Sequence, residues 1–196
     1  MRGFLNKALL ALRLGLPAIA QVSLYRIGLK TGLHPVCRLR AESPVGPFFT
    51  TATPVPGYNQ KNKRRTSSIH LFGHFEVDLT RSPPDWHKNP ITNQAAKKAE
   101  DRWWEINEFD SGTGDIKAIW ELSRMGWAMA FAQQAQDGDE TAIARLNEWL
   151  GNWCRHNTPY RGLNWKCGQE ASIRVMNLIM AAMILQQDCK PLKGLK

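Results

Sequence analysis

Three long amphipathic segments in the second half of the chain constrain its fold most strongly. Apolar side chains recur at helical spacing over residues 115–136, 140–155 and 166–188, and short polar or glycine-containing stretches separate these segments. The Asp-Gly pair at 137–138 predicts the end of the first helix. Long helices joined by short loops pack as antiparallel neighbours. The sequence therefore predicts a mainly α fold, built as an array of antiparallel α-hairpins.

Residues 68–79, which precede the helices, alternate apolar and polar side chains, and this pattern predicts a strand or a hairpin. The run Ser82-Pro83-Pro84 ends any regular element, because proline has no backbone N–H to donate. We therefore expect a short β/loop segment near residues 66–84.

The excess positive charge lies in the N-terminal third of the chain. The formal net charge is +9, but residues 1–65 hold eleven Lys or Arg and one acid, whereas residues 66–196 are close to neutral. Such an asymmetry is typical of an arm or of a surface-associating stretch. The predicted division is a basic amphipathic N-terminal arm at 1–40, a Pro-rich basic linker at 41–67, a helical domain at 68–190 and a tail at 191–196.

Two interpretations of the arm remain open at this point. A basic start, an apolar run and Ala18-Ile19-Ala20 resemble a cleaved secretory signal. Arg13 interrupts the apolar run, however, and no uninterrupted run reaches the roughly 20 residues that a membrane-spanning helix needs. The alternative is an amphipathic helix with Leu9, Leu12, Leu16 and Ile19 on one side, which lies on an anionic membrane or packs on the protein itself.

Several functional classes lack their motifs. The sequence contains no G-x-S-x-G, H-E-x-x-H, P-loop or G-x-G-x-x-G, and its four cysteines form no C-x-x-C pair. The basic run at 61–65 fits a solvated loop better than a phosphate-binding site. We therefore expect no cofactor, no metal and no nucleic-acid partner.

Two charged pairs and a polar loop hold more functional groups than packing requires. Glu121 and Arg124 are three residues apart, and Glu170 and Arg174 are four apart, so each pair shares a helix face and can form an ion pair. Residues 156–165 combine His, Tyr, Arg, Asn and Trp. Trp149 and Trp153 fit the core. For the tryptophans that border loops, a place in the core and a role in stacking on sugars both remain open: Trp86, Trp103, Trp104 and Trp165.

The order of these motifs resembles one known family. DWHKNP at 85–90, Trp103, GDIKAIWELSR at 114–124, GDE at 138–140 and GLNWKCGQEASIRVM at 162–176 are similar to the N-terminal domain of the heparinase II/III family. That family comprises polysaccharide lyases and relatives, often tied to bacterial surface polysaccharide. The resemblance covers roughly residues 68–185.

The resemblance implies an incomplete α/α toroid with exposed apolar helix faces, and β-elimination on acidic, uronate-containing polysaccharide. It assigns no catalytic residue before Lys196, so a further C-terminal portion or a partner chain is expected to be needed. A periplasmic or cell-envelope location is implied, with a cytoplasmic or peripheral membrane one as the alternative. The alternative function is a non-catalytic glycan- or membrane-associated module in bacterial surface polysaccharide metabolism. The substrate-binding residues implied are Trp120, Glu121, Arg124, Asn164, Trp165, Glu170 and Arg174.

Overall fold

The computed structural model describes residues 15–50, 67–97, 100–106, 109–110 and 114–187. The chain forms two compact units, residues 1–40 and residues 41–196. The described part is mainly α, as the sequence predicts. None of the described helices is both long enough and apolar enough to cross a membrane.

The first unit contains helix α1, Leu16–Thr31, followed by a 3₁₀ turn at Pro35–Arg38. Gly32 adopts a left-handed φ of 72° and ends α1 by donating its N–H to the carbonyl of Leu29. No residue of α1 is buried, and Leu16 is 74% exposed. The predicted helical arm is thus helical over Leu16–Thr31, while Leu9, Leu12 and Arg13 lie outside the described residues.

Two short antiparallel β-ladders belong to the second unit. Strands β1 (Ser68–Leu71) and β2 (Phe75–Asp78) pair with Ile69 opposite Val77, and the turn between them places Phe72 and Gly73 at positive φ. The predicted hairpin is confirmed. A second, smaller ladder joins β3 (Phe109–Asp110) to β4 (Gly114–Asp115).

The described residues of the second unit then form four helices: α2 (Ile116–Ser123), α3 (Gly126–Gln136), α4 (Ala142–His156) and α5 (Gly168–Ile184). Short 3₁₀ turns lie at Trp103–Glu105 and Leu163–Trp165. Helix α3 packs against both α4 and α5 and is therefore central to the unit.

The prediction of one helix over residues 115–136 is wrong, because Met125 adopts a left-handed φ of 64° and separates α2 from α3. The break frees backbone carbonyls that an unbroken helix would pair. Side chains satisfy two of them: Trp127 Nε1 donates to the carbonyl of Leu122 at 3.0 Å, and Asn177 Nδ2 donates to that of Arg124 at 2.7 Å.

The core between the hairpin and the helices is built on a cluster of aromatic rings. Trp86, Trp127, Phe131 and Trp149 lie with ring centroids 5.3 to 6.2 Å apart, mostly edge to face or tilted. Trp86 is 2% exposed, so of the two roles that the sequence leaves open for it, the structure shows the core one. Its burial is tolerated because Nε1 donates to Asn152 Oδ1 at 2.7 Å.

Residues 41–50, predicted to begin a linker, are instead attached to the helical body. Asn147 of α4 accepts the N–H groups of Phe48 and Phe49 on its Oδ1, at 2.7 and 2.9 Å, and donates Nδ2 to the carbonyl of Phe49 at 2.8 Å. Phe49 is buried in the core. Residues 51–66, which make up the rest of the predicted linker except for Ser67, lie outside the described part.

Helix α5 buries a different face from the one its apolar residues predict. Its buried residues are Glu170, Arg174 and Ala181. Leu178 and Ala182 are only partly buried against the core. An apolar stripe remains about half exposed and comprises Val175, Met176, Ile179, Met180 and Met183. The expected exposure of an apolar helix face is thus found on α5.

Candidate functional site

The Leu163–Trp165 turn is the centre of a cluster that joins three parts of the sequence. Trp120 Nε1 on α2 donates to the carbonyl of Leu163 at 2.9 Å. Asn164 Nδ2 donates to the carbonyl of Trp86 at 3.2 Å, and Trp165 Nε1 donates to the carbonyl of Asn157 at 2.9 Å. Helices α2 and α5 both pack on this turn. Of the seven residues implied by the resemblance, Asn164 and Trp165 belong to this turn, and Trp120 and Arg174 contact it. The other three, Glu121, Arg124 and Glu170, lie on the two helices that pack on it.

Arg124 connects α2 to α5 through two carboxylates. Its Nε and Nη2 donate to Glu170 Oε2 and Oε1, both at 2.8 Å, in a bidentate pair, and Nη1 contacts Glu121. The hydrogen bonds to Glu170 are the largest reason why the pKa of Arg124 is raised. The predicted pairing of Glu121 with Arg124 is therefore present, with a second, more buried partner added.

The predicted pairing of Glu170 with Arg174 is not formed, although the two residues share a helix face. Both oxygens of Glu170 are bound by Arg124, and among the described residues no carboxylate lies within 4.0 Å of the Arg174 guanidinium. A planar guanidinium that approaches the carboxylate from another helix makes two aligned hydrogen bonds, and this geometry is stronger than a helical i,i+4 contact.

Arg174 instead lies against two indole rings. Its guanidinium carbon is 5.1 Å from the centroid of Trp153 and 5.3 Å from that of Trp165, within the range of cation–π contacts. The residue is 5% exposed, and its Nη2 has no hydrogen-bond partner in the described part of the chain. Burial lowers the pKa of Arg174 to about 10, and the nearby charge of Glu170 opposes that shift.

A buried hydrogen-bond network centred on Asn157 holds the Leu163–Trp165 turn through Asn164. The sequence alone does not predict this network. Asn157 Oδ1 accepts from Asn164 Nδ2 at 2.8 Å and lies 3.1 Å from His87 Nε2, while Asn157 Nδ2 donates to the carbonyl of Trp153 at 2.9 Å. An amide oxygen only accepts, so His87 carries its proton on Nε2. Burial lowers the pKa of His87, and the hydrogen bond to Asn157 opposes that shift.

Burial divides the seven predicted site residues into two groups. Asn164, Glu170 and Arg174 are buried, so they position their neighbours rather than face a polymer. The other four reach the surface in part: Trp120, Glu121, Arg124 and Trp165. Glu121 neutralises much of the charge of Arg124, so this surface alone is a weak anion site.

A basic and aromatic surface adjoins the turn, and the sequence alone does not assemble it. Arg102 and Arg161 pair through an antiparallel backbone bridge, and both side chains are exposed. Arg102 lies 5.4 Å from the ring centroid of Trp104, and Trp103 stands edge-on to Trp104. We name these four residues the Arg102–Arg161 surface.

A separate polar cleft of about 770 Å³ lies beside the β1–β2 hairpin and is lined by Glu76, Asp78, Arg81 and Lys88 among others. None of the seven predicted residues lines it. Within the described ranges, no three His, Cys, Asp or Glu side chains are grouped so as to hold a metal ion.

Comparison with known proteins adds no assignment. The sequence matches no protein-family model, and neither the curated proteins nor the solved structures contain a match.

Proposed function

We propose that the 41–196 unit binds acidic, uronate-containing polysaccharide as the N-terminal toroid portion of a heparinase II/III-like polysaccharide lyase. The observation that carries the proposal is the grouping of seven residues, separated by up to 54 positions in the sequence, on the Leu163–Trp165 turn and on the two helices that pack on it. Four of them belong to the turn or contact it, and the other three are linked to one another through Arg124. The resemblance predicts these residues as one substrate-binding set. The mainly α architecture supports the same assignment.

The described residues supply two of the interactions that an acidic polysaccharide needs. Indole rings stack on the apolar faces of sugars, and Trp103, Trp104, Trp120 and Trp165 are all partly exposed around the turn. Carboxylates of the polymer need accessible guanidinium groups, and the Arg102–Arg161 surface offers two. Arg124 contributes less, because Glu121 and Glu170 already compensate its charge.

In the lyase class to which the proposal assigns the chain, β-elimination needs a neutralised uronate carboxylate and a base that removes the adjacent proton. The part proposed for this unit is to hold the polymer by its carboxylates and sugar faces. No described residue is assigned the role of the base.

Binding of polygalacturonate, measured by isothermal titration calorimetry, tests the proposal. Dextran sulfate of matched charge and neutral dextran serve as comparison polymers, since simple counterion release would favour any polyanion. We expect tighter binding of polygalacturonate than of either, and a loss of at least about fivefold on Arg161→Ala, as one charge-assisted contact is removed.

Arg81→Ala is the matched control, because Arg81 is also exposed but lies beside the polar cleft. Equal binding of dextran sulfate and polygalacturonate contradicts the proposal. So does an equal effect of Arg81→Ala and Arg161→Ala.

Helix α1 favours a second candidate function, association with an anionic membrane surface. Its apolar side chains Leu16, Val22, Leu24 and Ile27 are exposed, it carries Arg26 and Lys30, and it contains no acid. An exposed helix of this composition suits the headgroup–acyl boundary of anionic lipid.

Co-sedimentation with vesicles tests this candidate. We expect binding to phosphatidylglycerol vesicles, little binding to phosphatidylcholine vesicles, and loss of binding on Leu24→Glu. The matched control is Val45→Glu, since Val45 is exposed but lies in the second unit. Retention of the Leu24→Glu variant on anionic vesicles rules out α1 as the contact.

A further inference from the structure

A cavity of about 460 Å³ lies between α4, α5 and residues 41–49 of the second unit. Its walls are largely aromatic and aliphatic, and include Phe48, Leu150, Trp153, Tyr160, Trp165 and Leu178. The volume lies within the range of small-molecule sites, and such sites are mostly apolar with a few placed polar groups. Arg102 and Arg161, the cations of the polysaccharide proposal, do not line it, whereas Trp165 belongs both to this lining and to the rings proposed to stack on sugars.

Arg174 is the buried charged group among the residues that line this cavity. It is nine-tenths buried, it forms no ion pair with a described residue, and its Nη2 lacks a hydrogen-bond acceptor. A buried cation without a partner is costly, because the indole contacts replace only part of its lost hydration. An anion that enters the cavity would supply the missing acceptor.

We propose that this cavity binds a small carboxylate with an apolar, ring-bearing body. The carboxylate pairs with the Arg174 guanidinium, and the body packs among Trp153, Tyr160 and Trp165. Aromatic walls add ring–ring contacts to the area that is removed from water. A free sugar fits less well, because the lining offers few donors and acceptors for its hydroxyls.

The proposal does not depend on polysaccharide binding, since it rests on the cavity and the buried Arg174, whereas the guanidinium groups proposed to hold the polymer lie outside the cavity. Glu42 also lines the cavity, but its side chain is exposed and lies beyond 4.0 Å of the Arg174 guanidinium. The buried charge is therefore left for a ligand.

Calorimetric titration of the full chain with 2-naphthoate and with neutral 2-naphthalenemethanol tests the proposal. The two probes share the ring system and differ in the carboxylate. We expect naphthoate to bind at least about tenfold more tightly, which is the effect of one hydrogen-bonded charge pair away from water. Arg174→Met should remove this preference, while Arg81→Met, the same change at an exposed site outside the cavity, should leave it intact.

A second variant keeps the test decisive if Arg174→Met does not fold. Val175 is 55% exposed and lines the cavity, so Val175→Trp fills the site without entering the core. We expect it to weaken binding of both probes at least about tenfold. Equal affinity for the two probes in the wild-type protein overturns the proposal. So does the absence of saturable binding at the solubility limit of naphthoate, or full binding by Val175→Trp.

Discussion

Replacing Glu170 by glutamine tests whether the contact between α2 and α5 depends on a buried charge. The change keeps the size and shape of the side chain but removes the negative charge that Arg124 meets with two hydrogen bonds at 2.8 Å. One of the two Arg124 donors then faces an amide NH₂ group. The charge of Glu170, which favours the protonated form of the buried Arg174, is also lost.

The expected cost follows from the burial of each partner. A hydrogen bond to a charged group contributes about 1.5–3 kcal/mol, and removal of one member of a buried ion pair costs about 3–5 kcal/mol. The Glu170 side chain is 5% exposed but that of Arg124 is 30% exposed, so solvent screens part of the interaction. We therefore expect Glu170→Gln to lower the free energy of unfolding by about 3 kcal/mol.

Urea unfolding followed by tryptophan fluorescence and far-ultraviolet circular dichroism measures this loss. With an m-value of about 2 kcal/mol/M, the midpoint falls by about 1.5 M. Glu121→Gln is the matched control, because it removes the other carboxylate partner of Arg124 at a more exposed position; its cost should stay below about 1 kcal/mol. Equal costs for the two variants, or a loss below about 0.5 kcal/mol for Glu170→Gln, would refute the reasoning.

Three further predictions concern other described contacts. Asn147→Ala removes the acceptor of Phe48 and Phe49 and should increase hydrogen exchange at their amides by at least tenfold, against an unchanged α3. The folded pKa of His87 lies below the 6.5 of an unperturbed histidine, so its neutral form stabilises the fold above pH 6.5 and that contribution is lost as the pH falls. The wild-type protein should therefore lose more unfolding free energy than His87→Gln between pH 7 and pH 5. Burial raises the pKa of the Cys154 thiol, so mass spectrometry should find it alkylated by iodoacetamide more slowly than Cys37 at pH 8, and equal rates would contradict its burial.

The sequence predicts those features that depend on local periodicity. Apolar spacing over eight or more residues predicts helices α4 and α5 and the β1–β2 hairpin. Asp137-Gly138 also ends α3 where the pattern indicates, with Gly138 at a φ of 88°. Packing within the second unit favours the same helices and the same hairpin that the local sequence patterns favour.

The break between α2 and α3 at Met125 depends on contacts with residues far away in the sequence, so the local pattern does not predict it. Methionine rarely adopts a left-handed φ, so the residue at the break does not mark it, and the neighbouring Gly126 is itself the first residue of α3. The break is stabilised by Asn177 on α5, because its Nδ2 donates a hydrogen bond to the carbonyl of Arg124. That hydrogen bond joins residues 53 positions apart, so spacing within one segment cannot indicate it.

The candidate site shows the same division between local and distant contacts. The resemblance implies one site for Trp120, Arg124, Trp165 and Arg174. In the structure, Trp120 contacts the Leu163–Trp165 turn, Arg174 lies against Trp165, and Arg124 binds Glu170. The choice of partners is not predicted, because the pairing of Arg124 with Glu170 requires the angle between α2 and α5. The Arg102–Arg161 surface is missed for a related reason, since a backbone bridge brings together two loops that carry no periodic pattern.

Glu170 binds Arg124 directly and acts on Arg174 only through its charge. This difference leads to a last prediction, which separates stability from positioning. Replacing a buried ion pair by apolar residues of similar size is often neutral, so Arg124→Met with Glu170→Met would recover stability if the two formed an isolated pair. Here the double variant leaves Arg174 buried without a nearby carboxylate, so its unfolding free energy should stay at least about 2 kcal/mol below that of the wild type. Adding Arg174→Met should restore most of that loss. If the double variant alone recovers the full unfolding free energy of the wild type, then Glu170 stabilises Arg124 only. In that case the contacts with the two indole rings are sufficient to stabilise the buried Arg174.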